Sequence, residues 1–295
     1  MLGLLGDEWT LLIIQQALLG ATRYGEFMAR LPISNSVLAS RLRALTDDRL
    51  LLRNVSRAGP VRTDYLVTPR SRSLWPALLS IWEWERHWVP EHAERLPSMH
   101  HNICRSDFAP VLVCRSCDEV TTDKDVVARW GPSGSWTRSV PEAVTRRRSD
   151  SDHTPIQAGL FPETMSVFGN RWAAALLIAA FQGATRFTEF QGHLGAPPSL
   201  LADRLQTFCA NEVLMASSQA TRPDWVTYTL TEKGRAFFPV LITSLQWAQQ
   251  WFHAPEGPAV LVTHRACGEP FAGILVCDHC TRPLSGAQIT ASRTD

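Results

Sequence analysis

The sequence predicts a mainly α-helical chain with small β-hairpins, an α+β fold built twice in tandem, and three observations carry that expectation. Residues recur at a constant offset of 163 positions, from Gly6 and Trp9 paired with Gly169 and Trp172 to Cys117 paired with Cys280. Within each copy the apolar spacing changes from helical to alternating and back to helical. Each copy then ends in paired Cys and His residues. A period this long marks a duplicated domain, because solenoid repeats run to a few tens of residues.

The first helix of copy one spans Trp9 to Leu19 and stops at Gly20. A short second helix, Arg23 to Leu31, carries Tyr24, Phe27 and Leu31 on one face and is broken by Pro32. Ser34 or Asn35 offers a side-chain oxygen to the free amides of a third helix running to about Asp48. Leu38, Leu42 and Leu45 form its buried stripe, being four and three residues apart. Two short strands, Leu50 to Val55 and Arg62 to Val67, flank turn chemistry at Arg57-Ala58-Gly59-Pro60. A Trp-rich helix from Ser73 to His87 closes the unit, and the order is that of a winged helix-turn-helix.

Copy two repeats the order, with helices at Trp172–Gln182, Arg186–Leu194 and Pro198–Glu212, a hairpin between Met215 and Leu230, and a closing helix from Lys233 to Phe252. The division expected is a winged domain over 1–98, a Cys/His knuckle over 99–122, a linker over 123–160, a second winged domain over 161–255, and a second knuckle with its tail over 256–295. Gly131-Pro132-Ser133-Gly134-Ser135 and Arg146-Arg147-Arg148 give 123–160 its linker composition.

A 295-residue chain that is 45% apolar can bury two domain-sized cores. Its net charge of +1 says little about partners, since overall balance can hide a local patch. No apolar run approaches the roughly 18 residues of a membrane span, so no membrane partner is expected. Six of seven cysteines fall in two like clusters with Cys209 alone, a pattern suited to reduced thiols or metal ligands in the cytoplasm. Cys209 itself reads as a small core residue.

The segments Gly6-Asp7-Glu8-Trp9-Thr10-Leu11-Leu12-Ile13-Ile14, Leu19-Gly20-Ala21-Thr22-Arg23-Tyr24-Gly25-Glu26-Phe27, Leu38 to Leu45 and Tyr65-Leu66-Val67-Thr68-Pro69 resemble the HxlR family of bacterial transcriptional regulators. The resemblance covers each winged half almost entirely. It implies cytoplasmic, dimeric, sequence-specific binding to double-stranded DNA, with the third helix in the major groove and the hairpin beside it. The family is usually a single domain that dimerises, whereas this chain carries two.

With Leu38, Leu42 and Leu45 inward, Ser36, Ser40 and Arg43 take the opposite face of the third helix and become base-contact candidates, with Asn35 at its start. Arg41 lies on the flank, suited to a phosphate or to an ion pair with Glu26 or Asp47. Arg53, Arg57 and Arg62 make the wing basic. From Arg23 to Arg72 ten arginines face four carboxylates, a net +6, whereas the matching window of copy two sums to zero. There Ser199, Arg204 and Gln206 take the helix positions and Arg222 the wing, while Asp203 replaces Ser40 and Pro197-Pro198 opens the helix. The first copy is therefore the expected principal reader, most simply of a repressor. The second is its pseudo-dimer partner and weaker reader, or an interaction module that has lost DNA binding. Pairing between chains as a homodimer is the other arrangement.

His101-x2-Cys104 and Cys114-x2-Cys117 are two short knuckles spaced like a small zinc ribbon, and His264, Cys267, Cys277 and Cys280 repeat them. Four such donors suit one tetrahedral zinc per half, two structural sites in all, with no open position for catalysis. His100 and His279 are alternative ligands. A thiol redox switch is the competing reading, since some relatives in the family sense oxidants or electrophiles through cysteine. The Trp-rich helices, with Trp75, Trp82, Trp84 and Trp88 in one copy and Trp247 and Trp251 in the other, read as core or dimer packing, and a small-molecule effector between them is a further candidate partner. Enzymatic function is not expected. Neither His101-Asn102-Ile103 nor His264-Arg265-Ala266 supplies the Glu of a zinc deaminase, and no phosphate loop or nucleophile elbow is present.

Overall fold

The computed structural model describes residues 7–56, 62–93, 96–139, 161–219 and 222–292. In the first half the elements are α1 (Glu8–Leu18), α2 (Tyr24–Arg30), α3 (Asn35–Asp47), β1 (Leu51–Ser56), β2 (Arg62–Val67), α4 (Pro69–Arg72), α5 (Trp75–Trp88) and α6 (Pro90–Ala93). Strands β3 (Ser98–His101), β4 (Ser106–Asp107), β5 (Pro110–Cys114) and β6 (Val126–Trp130) and helix α7 (Trp136–Ser139) follow. The second half adds α8 (Pro162–Phe168), α9 (Arg171–Phe181), α10 (Phe187–Leu194), α11 (Pro198–Ala210), β7 (Leu214–Gln219), β8 (Arg222–Leu230), α12 (Glu232–Arg235) and α13 (Phe238–Trp251), then β9 (Val260–His264), β10 (Gly273–Cys277) and β11 (Ile289–Ser292).

The recurring residues are the ones that lock each helix-turn-helix to its wing. Glu26 accepts hydrogen bonds from the Thr22 and Arg23 amides at 2.7 and 3.1 Å, and Glu189 does the same for Thr185 and Arg186 at 2.8 and 3.0 Å. These amides hold both carboxyls below the usual carboxylate range. The Tyr65 amide donates to the Thr22 carbonyl and the Tyr228 amide to that of Thr185, both at 2.7 Å. Phe27 and Phe190 meet the same tyrosines edge to face. Gly20 and Gly183 end the first helix of each half at φ 90° and 95°, conformations that glycine adopts without penalty.

The halves pair across α5 and α13, about an approximate twofold axis. Trp84 donates its ring N–H to the Lys233 carbonyl at 3.0 Å, and Trp247 donates to the Arg70 carbonyl at 2.8 Å. Donor and acceptor of one bond each lie 163 residues from their counterparts in the other, so the same interaction is made twice. Arg70 also lies over the Trp251 and Phe252 rings, and Trp251 donates to the Ser73 hydroxyl at 2.7 Å. The buried carboxylate of Glu85 accepts from the Thr164 amide, tying α5 to the start of α8. Trp84→Phe should destabilise the chain by about 1–3 kcal/mol, because the buried Lys233 carbonyl loses its donor. Urea unfolding would measure it, and Trp247→Phe should cost a similar amount.

Beyond the helices the chain exchanges strands. Strand β5 pairs antiparallel with β10, and Leu112 stands opposite Leu275, its own repeat equivalent, so the pseudo-axis passes between them. Strand β3 pairs with β11 and β6 with β9, two equivalent ladders that each join opposite halves. The linker composition read over 123–160 therefore begins inside ordered structure: β6 carries the β6–β9 ladder, and α7 follows it. The Arg146–Arg148 triplet lies outside the described residues. No helix among the described residues is long and apolar enough to cross a membrane.

Candidate DNA interface and metal centres

Helix α3 buries Leu38, Leu42 and Leu45 and leaves Asn35, Ser36, Ser40 and Arg43 exposed. Ser34, not Asn35, is the N-cap, accepting from the Val37 amide at 3.4 Å. Arg53 and Arg62 are exposed on the wing strands. Arg57 lies outside the described residues.

Arg41 is different. Its guanidinium turns inward to Asp7, the N-cap of α1, at 2.8 Å, and not to Glu26 or Asp47. A residue 34 positions away in sequence supplies the partner, which helix spacing alone does not reveal. Arg23 is likewise near Asp64 at 3.6 Å, and Arg70 is held against the other half. Among the described residues, Arg43, Arg53 and Arg62 are then the exposed cations of the reading helix and wing with no ion pair. Arg41→Gln should lower the melting temperature through loss of the Asp7 pair while leaving the salt dependence of DNA binding unchanged, a contrast visible by thermal unfolding and binding titrations.

The second half offers a less cationic surface. Ser199, Asp203 and Gln206 are exposed on α11, and Arg204 is half-buried with its nearest carboxylate, Asp203, at 3.8 Å. The equivalent of Asp7 is the neutral Asn170, so Arg204 has no inward partner of the Arg41 kind. Arg222 opens β8. Trp225 stands at the position equivalent to Arg62, 41% exposed, with the Arg186 guanidinium 4.9 Å above its ring. Sequence reading missed this exchange of charge for aromatic surface, although the 163-residue offset contains it.

The eight Cys and His donors form two clusters, and their grouping corrects the expectation of one site per half. His101 and Cys104 join Cys277 and Cys280, while Cys114 and Cys117 join His264 and Cys267. The reason is the β5–β10 ladder, which carries each Cys-x2-Cys knuckle onto the other half's His-x2-Cys knuckle. Each knuckle is a tight turn closed by a hydrogen bond from the fifth residue to the first carbonyl: Arg105 to His101 and Asp118 to Cys114 at 2.8 Å, Gly268 to His264 at 2.9 Å and Thr281 to Cys277 at 2.8 Å. The fifth residue takes a left-handed backbone in all four.

The donor atoms of each cluster lie within 4.8 Å of one another. His101 Nδ1 is 3.4 Å from Cys104 and 3.5 Å from Cys280, and Cys104 is 3.8 Å from Cys277. In the second cluster His264 Nδ1 is 3.4 Å from both Cys117 and Cys267, and Cys114 is 4.0 Å from Cys267. Tetrahedral bonds of about 2.3 Å to sulfur and 2.0–2.1 Å to nitrogen require edges near ~3.7 and ~3.5 Å, so three thiols and one imidazole fit a metal ion in each place. His101 and His264 are buried. His100 instead pairs with Asp107 at 3.2 Å. Cys209 is half-buried, and burial pushes its thiol up, away from reactivity.

The pattern of HxlR-like helix-turn-helix proteins matches residues 4–93 and again 167–256. The chain belongs to this family. The two matched HxlR-like segments are themselves 163 residues apart and contain both wings. An uncharacterised HTH-type transcriptional regulator of Mycobacterium tuberculosis is 30% identical over 126 residues, 43% of this chain and 80% of that protein. YvaP, an uncharacterised HTH-type regulator of Bacillus subtilis, is 36% identical over 87 residues, 29% of this chain and 81% of its own. The HTH-type transcriptional regulator YodB of Bacillus subtilis is 32% identical over 87 residues, 29% of this chain and 78% of its own. Among solved structures, PA1607 aligns at 31% identity over 49% of this chain and 97% of its own, with a TM-score of 0.41.

Proposed function

We propose that this HxlR-like protein is a cytoplasmic DNA-binding transcriptional regulator, acting by repression, in which one chain does the work of a dimer. The observation that carries the reading is the unequal pair of third helices. Exposed Ser36, Ser40 and Arg43 on α3 present hydrogen-bond donors and a guanidinium suited to guanine O6 and N7. The wing residues Arg53, Arg57 and Arg62 supply phosphate contacts. On α11, Asp203 opposes phosphate and Gln206 carries no charge, so the second half reads more weakly through Ser199, Gln206, Arg204 and Arg222.

Zinc is the metal that three thiolates and one imidazole favour in a closed tetrahedral set. His101, Cys104, Cys277 and Cys280 would hold one ion, and Cys114, Cys117, His264 and Cys267 the other. Such ions stabilise folded structure. Because each set draws on both halves, it clamps the two readers in one mutual orientation. The spacing of the sulfurs, near tetrahedral edges, favours this over a thiol switch.

Selection from a random duplex pool by the intact, metal-replete chain tests the function. The expected product is a motif with two unequal half-sites, the stronger one rich in a guanine contact. A pool that stays random at moderate salt would overturn the reading.

A further inference from the structure

The two halves differ in their cores where α9 and α13 face the β6–β9 ribbon. There an open-mouthed cavity of about 900 Å³ is lined mainly by apolar side chains, within the size range of small-molecule sites. At two of the equivalent first-half positions the side chains are larger. Trp82, only 3% exposed, occupies the position of Leu245 and donates to the Pro97 carbonyl at 2.9 Å, and Leu12 stands where the second half has Ala175.

A polar group points the same way. Ser244, 1% exposed, lines the cavity and its hydroxyl has no hydrogen-bond partner, whereas its first-half equivalent is the apolar Ile81. A buried hydroxyl left unpaired is costly, and a ligand with one polar atom would satisfy it. The charges bordering the cavity are already matched: Arg138 meets Glu256 at 3.4 Å and Asp123 meets Arg235 at 2.5 Å. Trp136, another wall residue, stacks on His193 of α10 at 4.8 Å, the helix that precedes the second reading helix.

From this juxtaposition of an apolar second-half cavity with an unpaired Ser244 hydroxyl, we propose that the cavity binds one uncharged aromatic molecule carrying a single hydrogen-bonding group. Its occupation is transmitted to the second helix-turn-helix through the Trp136–His193 stack. The binding step stands alone, and the transmission rests on the proposed DNA reading.

Calorimetric titration of the intact, metal-replete protein with 2-naphthol, without DNA, tests the binding step. One site per chain is expected. Leu245→Trp, which introduces the first-half residue, should weaken binding at least about tenfold. Ser244→Ala, which removes an unpaired group and so keeps the fold, should weaken it about 2–10-fold. Absence of saturable binding, two sites per chain, or affinity unchanged in Ser244→Ala overturns the site. Saturating 2-naphthol should then shift affinity for the selected duplex more than twofold, and a smaller shift with binding intact overturns the effector role. If no duplex is bound at all, the calorimetric result still stands or falls by itself.

Discussion

Tag-free Cys104→Ser/Cys280→Ser protein should retain one zinc per chain, whereas Cys104→Ser/Cys117→Ser should retain none. The first pair removes two donors from a single cluster, and the second removes one donor from each. Donors grouped within each half would give the reverse, because Cys104 and Cys117 would then share a site. Elemental analysis after dialysis reads the difference as one ion against zero. The consequence for stability should be large, since structural zinc in finger peptides contributes about 10–16 kcal/mol of apparent binding energy at neutral pH. Loss of both ions should also loosen the β5–β10, β3–β11 and β6–β9 pairings, which hold the knuckles together across the halves.

That grouping marks the boundary of what the sequence discloses. Local chemistry was legible: the stripe of Leu38, Leu42 and Leu45, the break at Gly20, and the knuckles with two-residue spacing all follow from rules acting over a few residues. The bounds of the predicted winged-helix elements agree to within a few residues, except that the closing helix of the second half splits into α12 and α13, whereas α8 and the strands β3–β6 and β9–β11 had no predicted counterpart. Which knuckle meets which depends on the long-range register that sets Leu112 opposite Leu275, and no local signal encodes it. The same holds for Arg41, whose Asp7 partner comes from another helix's cap. Composition also misled, since glycine, proline and serine around 131–135 suggested a linker where Trp130 and Trp136 pack edge to face at 5.3 Å. The repeat itself held one unused clue, because aligning position 62 with 225 shows arginine exchanged for tryptophan.

Neutralising the first half should damage DNA binding far more than neutralising the second. Arg43→Gln should cost about 1–3 kcal/mol, roughly 5–150-fold, and relax base preference at one position, if its guanidinium pairs with guanine. Adding Arg53→Gln and Arg62→Gln should flatten the plot of log affinity against log salt by about 0.9 for each phosphate that is no longer neutralised, near ~1.8 for the two wing contacts. Gln206→Ala with Arg222→Gln should change the slope by no more than about 1. Fluorescence anisotropy over a salt series separates the two outcomes, and equal losses from both sets would defeat the asymmetry.

The pairing of α5 with α13 and the exchanged ribbons join the two halves within one chain, as the proposed single-chain reader requires. Native mass spectrometry of the zinc-loaded protein on its selected duplex tests this most directly. One chain and two zinc ions per duplex is the predicted mass, with both half-sites protected by that single chain. A complex that forms only with two chains per duplex would contradict it.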